Sequence, residues 1–296
     1  MADVGLYALT VLLWGTTWIA VTLQTGTIAP EVSVSYRFAL AGLLFLGYAA
    51  LRQIRLLHSP ADHAWMALQG FLLAATFVCI YVATTRLASG LVAIVFSLVA
   101  VLNVIGMRLF FRTRMHARLL FGAVLGVVGV LLIFGANRRE GPGPDDPVIG
   151  LPVSFAAALF AALAGMVIVR NQRRQIPMVP LNGFSLLYGA ALAAAYTLLL
   201  DKPFGVDWSP RYLGSLLYLS VVGSVLVFAA YLELIRRVGA ERAGYVAVAS
   251  PVVALLMSGA FEALRLDEIS YVGLIACLAG NVLVLWGSAH PSTALR

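Results

Sequence analysis

Charge is what this sequence has least of. Asp, Glu, Lys and Arg make up 11% of the 296 residues, against roughly 25% in an ordinary soluble domain, while apolar side chains make up 61%. A soluble core cannot bury that much apolar surface. Nor is the mean hydropathy of +0.95 the work of one anchor, because apolar runs of about twenty residues recur along the chain, the length a helix needs to cross a bilayer's hydrocarbon. Cysteine is nearly absent: Cys79 and Cys277 fall in separate apolar runs and provide neither a disulfide framework nor metal-ligand spacing, so both are expected to be buried structural thiols. Polar/apolar alternation is also missing from runs such as 121–134, which excludes a transmembrane strand and leaves helices to satisfy the backbone inside lipid. Ahead of the apolar run at Val4 there is no basic stretch and no convincing cleavage site, so that run reads as a first span rather than a secretory signal.

What charge there is carries a direction. The formal balance of +7 does not point to nucleic acid, because the basic residues lie in short loops between apolar segments. Spans are predicted near 4–23, 32–51, 64–85, 88–107 and 116–136. Five more follow the turn-rich segment 141–147, near 148–169, 181–200, 211–231, 241–261 and 270–289. Thirteen of the 20 Lys and Arg residues then fall on the side of the N-terminus, among them Arg52, Arg55, Arg112, Arg114, Arg170, Arg173, Arg236, Arg242 and Arg296. Six fall opposite (Arg86, Arg138, Arg139, Lys202, Arg211, Arg265), and Arg37 lies within a span. Basic residues bias short loops toward the cytoplasm, so both termini are expected there. The fold class read from this pattern is an all-α integral membrane protein, with ten transmembrane helices arranged as two five-helix repeats, residues 1–140 and 148–290, in one integrated membrane domain.

The halves match in places. Span five overlays span ten, aligning Gly122 with Gly273, Gly129 with Gly280 and Leu132 with Leu283; span four overlays span nine, pairing Ser97 with Ser250 and Leu102 with Leu255. Five is odd, so the second half enters the membrane from the opposite side, and a shared fold makes the repeat inverted. Inverted repeats give two nearly equivalent arrangements around a midplane site, the basis of alternating access. Duplication that merely enlarged a helix bundle is the plainer alternative.

At Trp14-Gly15-Thr16-Thr17-Trp18, Arg37, Ala249-Ser250-Pro251-Val252-Val253-Ala254, Glu262 and the span 273–287 the chain resembles an EamA-type member of the drug/metabolite transporter superfamily, and within it the YddG-like aromatic amino-acid exporters. The resemblance covers almost the whole chain. It implies a multi-pass protein of the bacterial inner membrane that exports small metabolites, with spans one, three, four, six, eight and nine around a central cavity and spans five and ten packed behind. It names no substrate: amino acids come first, with cationic compounds or nucleosides as alternatives. One departure is visible, since the acid matching Glu262 in the first half should fall within 109–112, where the sequence is Leu-Phe-Phe-Arg. A symmetric ionic role for Glu262 is therefore not expected, and a helix-end carboxylate at the outer interface is the simpler reading.

Candidate substrate residues follow from position and chemistry. Trp14 and Trp18 share one face of span one, below the interface where tryptophan usually clusters, and their rings offer stacking area and cation–π attraction; helix packing is the rival reading. Phe77 and Tyr81 repeat the spacing on span three, with an aromatic-belt role as the rival for Tyr81. Ser97 and Ser250 occupy similar central positions in spans four and nine, where a hydroxyl bonds substrate or its own helix. Asn103, Tyr245 and Pro251 are candidates for cavity or gate: Asn103 and Asn281 are costly in lipid and should face inward, Tyr245 lies near the inner end of span nine, and Pro251 removes a backbone donor at midspan.

No acid or base sits at the centre of a span, so proton coupling is not evident and facilitated diffusion is a serious option; Arg37, Glu233 and Glu262 lie near span ends, where snorkelling lowers the cost. An enzyme is not expected. The four histidines, His58, His63, His116 and His290, fall at the cytoplasmic side without ligand spacing, so no catalytic residue, metal or cofactor is anticipated. The expected partners are a small-molecule substrate and the lipid bilayer, without nucleic acid, for a monomer or weak homodimer. A channel stays open as an alternative, since a narrow apolar pore needs no charge.

Overall fold

The computed structural model describes residues 2–26, 28–112, 117–136, 146–239, 243, 245–264 and 266–288, with side-chain detail ending at 133 and 283 in the two helices that close these segments and lacking for residue 2 and residues 117–119. The predicted 141–147 turn (all but its last two residues), the ends of the two proposed repeats, His116, His290 and the basic residues Arg114, Arg138, Arg139, Arg242, Arg265 and Arg296 lie outside the described residues. All regular structure among the described residues is helical: α1 (Ala2–Thr22), α2 (Pro30–Leu51), α3 (Pro60–Thr84), α4 (Ser89–Phe96), α5 (Val99–Phe111), α6 (Ala117–Ala136), α7 (Pro147–Arg173), α8 (Met178–Leu199), α9 (Pro210–Leu217), a π-helical segment (Tyr218–Leu226), α10 (Val227–Val238), α11 (Val246–Phe261) and α12 (Glu268–Ser288).

The starts are written in the sequence. Ser59, Asp146 and Ser209 each accept a hydrogen bond from a backbone N–H in the first turn of the helix that follows, and each is followed by proline; a short acceptor at the cap and a proline with no N–H to leave unsatisfied are what a helix entry requires. Two predicted spans come out differently. Span four breaks at Ser97 and Leu98 into α4 and α5. Span eight does not end at 231: α9, the π segment and α10 run on continuously to Val238, which places Glu233, Arg236 and Arg237 on helix.

Seven helical runs are long and apolar enough to cross a membrane, and Leu120–Ile133, Val246–Phe261 and Glu268–Leu283 are shorter apolar stretches. The outward faces of α6 and α12 are uniformly greasy: Leu131 is 64% exposed and Ile275 66%. Apolar faces of that extent are foreign to water-soluble surfaces and natural against lipid. With the recurring spans they define a multi-pass membrane protein.

Close approach rather than bulk holds the helices together, as expected where lipid offers no hydrophobic drive. The pair α6 and α12 shows it best. A Cβ on Gly129 would stand 2.5 Å from the Gly273 carbonyl oxygen, and one on Gly280 would stand 2.5 Å from that of Gly122. The residues aligned by sequence, Gly122 with Gly273 and Gly129 with Gly280, therefore meet crosswise in space. The main core joins both halves through Trp18, Phe38, Tyr81, Val92, Ala157, Leu219 and Ala254.

Candidate functional site

A cavity of about 320 Å³ lies in the middle of the bundle, at the small end of the range for ligand pockets. It is walled by Trp14, Thr17 and Trp18 of α1, Arg37 of α2, Thr76 and Phe77 of α3, Phe96 of α4, Ala164 and Gly165 of α7, Gly223 and Ser224 of the π segment, and Phe228 and Tyr231 of α10. The aromatic lining is cross-braced. Trp14 meets Tyr231 edge-on with centroids 5.6 Å apart, and Trp18 meets Phe96 at 5.4 Å. Rings fixed in edge-to-face pairs present rigid apolar faces at little entropic cost.

Each α1 residue stands where its neighbours put it. Gly15 lies so close to Val253 of α11 that a side chain there would collide with it, and this contact lets Trp14 and Trp18 turn toward the cavity. The Thr17 hydroxyl donates to the Trp14 carbonyl at 2.6 Å, that of Thr76 to Leu72 at 2.8 Å, and that of Ser224 to Leu219 at 3.0 Å. All three lining hydroxyls thus spend their proton within their own segment and turn only lone pairs to the cavity. The Ser224 bond spans five residues, as a π turn requires.

Arg37 is the one formal charge on the wall. Its guanidinium carbon sits 4.4 Å from the Phe77 ring centroid, and the Tyr81 hydroxyl is its polar neighbour. Only 3% of the residue is exposed, so it does not snorkel as its place near a span end predicted. Its Nε and Nη1 are buried with no hydrogen-bond partner among the described residues.

Of the residues predicted for substrate, Trp14, Trp18 and Phe77 line this cavity. Tyr81 is wholly buried and donates to Gln24 Oε1 at 2.5 Å, tying α3 to the end of α1 beyond Arg37. Ser97 faces away: it donates to the Ile94 carbonyl at 2.6 Å and accepts from Asn281 Nδ2 at 2.9 Å, joining α4 to α12, because the break after α4 turns it outward. Ser250 is buried on α11, where its carbonyl packs against Gly15. Pro251 is buried in the same helix, and Tyr245 caps its start, half-buried. Asn103 stands behind the wall, its Oδ1 2.9 Å from where a Cβ on Gly165 would be and without a partner among the described residues.

Span nine contributes no lining residue, contrary to the arrangement the resemblance implied, and span two contributes Arg37 instead; α11 is held behind α1 by the Gly15 contact. Sequence reasoning missed Phe96, Phe228 and Tyr231 as lining and read Arg37 only as a resemblance. A further site feature lies between spans four and nine. Glu262 accepts from the Ser89 backbone N–H at 3.0 and 3.2 Å, from the Ser89 hydroxyl at 2.7 Å and from the Ser258 hydroxyl. Its carboxylate is therefore a cap for the start of α4 supplied from another helix, well placed against the helix dipole.

Helices that cross a membrane and enclose a ligand-sized chamber make this a membrane transporter by architecture. Comparison with known proteins agrees. The EamA-like transporter family matches residues 3–135 and again 148–286, and the chain belongs to it. It is similar to Protein PagO of Salmonella typhimurium, 23% identical over 98% of this chain and 94% of that one. It is also similar to an uncharacterized inner membrane transporter, YedA, of Escherichia coli strain K12, 27% identical over 96% and 90%, and to Protein PecM of Dickeya dadantii, 24% identical over 96% and 92%. A solved crystal structure of a protein superposes with a TM-score of 0.67 over 95% of this chain and 96% of that one, at 18% identity, a likeness of fold alone.

Proposed function

We propose that this protein exports small metabolites, amino acids including aromatic ones foremost, across the bacterial inner membrane by alternating access between two inverted five-span halves, 1–140 and 148–290, with both termini cytoplasmic. The observation that carries the reading is the aromatic-walled cavity of about 320 Å³ between α1–α4 on one side and α7, the π segment and α10 on the other. It suits one small molecule with an apolar body rather than a drug-sized one.

Two further observations support the inverted repeat. One family matches the chain twice, once in each half. The crosswise contacts of Gly129 with Gly273 and Gly122 with Gly280 are those a pseudo-two-fold axis generates, where a contact between i and j implies its reciprocal. Alternating access then consists of one half rocking against the other about the fixed site.

The lining residues include no Asp or Glu, so the reading includes facilitated diffusion rather than obligate proton coupling. Purified protein in liposomes preloaded with single amino acids, nucleosides or cationic drugs provides the test. Saturable counterflow of aromatic amino acids, unchanged by an imposed pH gradient, is expected. Linear flux without competition indicates a channel and overturns the mechanism; counterflow confined to nucleosides or cations overturns the substrate.

A further inference from the structure

A guanidinium inside a membrane protein normally has a carboxylate or a set of carbonyl oxygens around it, because taking an unpaired charge out of water costs several kcal/mol. Arg37 has neither. It is 3% exposed, it has Phe77 beneath its face, and the Tyr81 hydroxyl beside it has already given its proton to Gln24. No described carboxylate forms an ion pair with it: Glu31, on the same helix, is taken by Lys202 at 2.5 Å, and Glu262 is engaged by Ser89 and Ser258. Two of its nitrogens end in the chamber wall unbonded. The Gly223 backbone beside it adds no side chain, and a Cβ there would reach within 3.7 Å of Nη2 and collide with Thr17.

We infer that Arg37 is the substrate's carboxylate-binding residue, and that the cargo is a small apolar or aromatic monocarboxylate whose amino group is dispensable. The inference rests on the transport reading above and sharpens its substrate class. A carboxylate offers planar acceptors that match a guanidinium in two parallel bonds, and it brings the one charge the site lacks. Nothing on the wall answers an ammonium in kind. The Thr17, Thr76 and Ser224 lone pairs are neutral acceptors, and there is no acid among the lining residues. The body of the molecule then lies along Trp14, Trp18, Phe96 and Tyr231, which hold it by apolar contact and impose no sign of charge.

Three probes separate the parts of this claim: phenylalanine, 3-phenylpropionate, which keeps the carboxylate alone, and phenethylamine, which keeps the amine alone. Each is tested as an inhibitor of phenylalanine counterflow in liposomes and as a ligand that raises the melting temperature of the purified full chain in detergent. Phenylalanine and 3-phenylpropionate are expected to act within a few-fold of each other, with phenethylamine weaker by about 10- to 100-fold, the range for loss of a charge-assisted hydrogen bond. Arg37→Gln should abolish the thermal shift by both carboxylates while leaving the unliganded protein at least as stable as wild type, since an uncompensated buried charge has been removed.

Phenethylamine acting as strongly as phenylalanine, or carboxylate shifts that survive in Arg37→Gln, overturns the proposal. If Arg37→Gln does not fold, the three-probe comparison on the wild type decides alone. Carboxylate binding without any flux supports the site and removes the transport reading. Flux of cations or nucleosides with no carboxylate effect removes the site and leaves a transporter.

Discussion

Tyr81 and the two tryptophans were alike as sequence candidates, and the structure gives them different work. Trp14 and Trp18 face the cavity in braced pairs, so Trp14→Ala or Trp18→Ala should raise the apparent KM for an aromatic substrate several-fold with little change in folding. Tyr81 is a strut. Tyr81→Phe removes its bond to Gln24, whose Nε2 is already unpartnered, and leaves a second buried polar atom unsatisfied at a cost of about 1–3 kcal/mol. Melting in detergent should drop while KM moves little, and the reverse pattern would return Tyr81 to the substrate site. At the cytoplasmic side His58 provides a pH test. Burial, and then the neighbouring His63, hold its imidazole below the usual range. The folded state therefore favours neutral His58, and the unfolded chain takes up the proton first as pH falls. Its contribution to stability is present above the ordinary histidine pKa of about 6.5 and is lost as pH drops below it. His58→Asn should flatten the melting temperature between pH 7.5 and 5.5 relative to wild type.

Among elements, the π segment Tyr218–Leu226 is the one that sequence periodicity cannot find. Nine residues wound with an extra residue per turn displace everything after them around the helix axis, so a 3.6-residue template carried through from Pro210 puts Phe228 and Tyr231 on the wrong face. That is why both escaped the sequence reading, although they line the cavity. Helix starts were legible because Ser59, Asp146 and Ser209 with their following prolines have local chemistry. The paired tryptophans were legible because i, i+4 spacing within a straight helix fixes a face. Arg37 and Glu262 were not, because what decides them is a partner on another helix: an aromatic ring for one, the start of α4 for the other. Deleting Val221 should convert the π turn to regular α-helix and rotate α10 by roughly 100°, carrying Phe228 and Tyr231 out of the wall. The expected result is a helical, membrane-inserted protein by circular dichroism that has lost most counterflow; retained transport would show the π turn to be incidental. Glu262→Gln keeps acceptor and donor atoms but removes the charge facing the helix dipole, and is expected to cost about 0.5–2 kcal/mol of stability, read by thermal melting.

The whole molecule carries an asymmetry that its repeats do not. Within the cavity the most buried lining residues, Val21, Arg37, Thr76 and Ile80, belong to the ends of α1, α2 and α3 on the side away from the N-terminus, and the Tyr81 to Gln24 bond closes over them. The half-buried ones, Ile168, Phe228 and Tyr231, lie toward the N-terminal side. If the basic loops are cytoplasmic, as the excess of Lys and Arg on that side argues, this arrangement opens inward, the loading state of an exporter. A protein with Cys79 and Cys277 replaced by alanine gives a background for single reporters. With sealed cells and a membrane-impermeant maleimide, Trp208→Cys, at a position 77% exposed, should label from outside, whereas Leu57→Cys, at a position 82% exposed, should label only after the membrane is opened. Tyr231→Cys should follow Leu57→Cys and be protected by substrate. Labelling of Leu57→Cys from outside would invert the topology, and with it the direction in which this resting state faces.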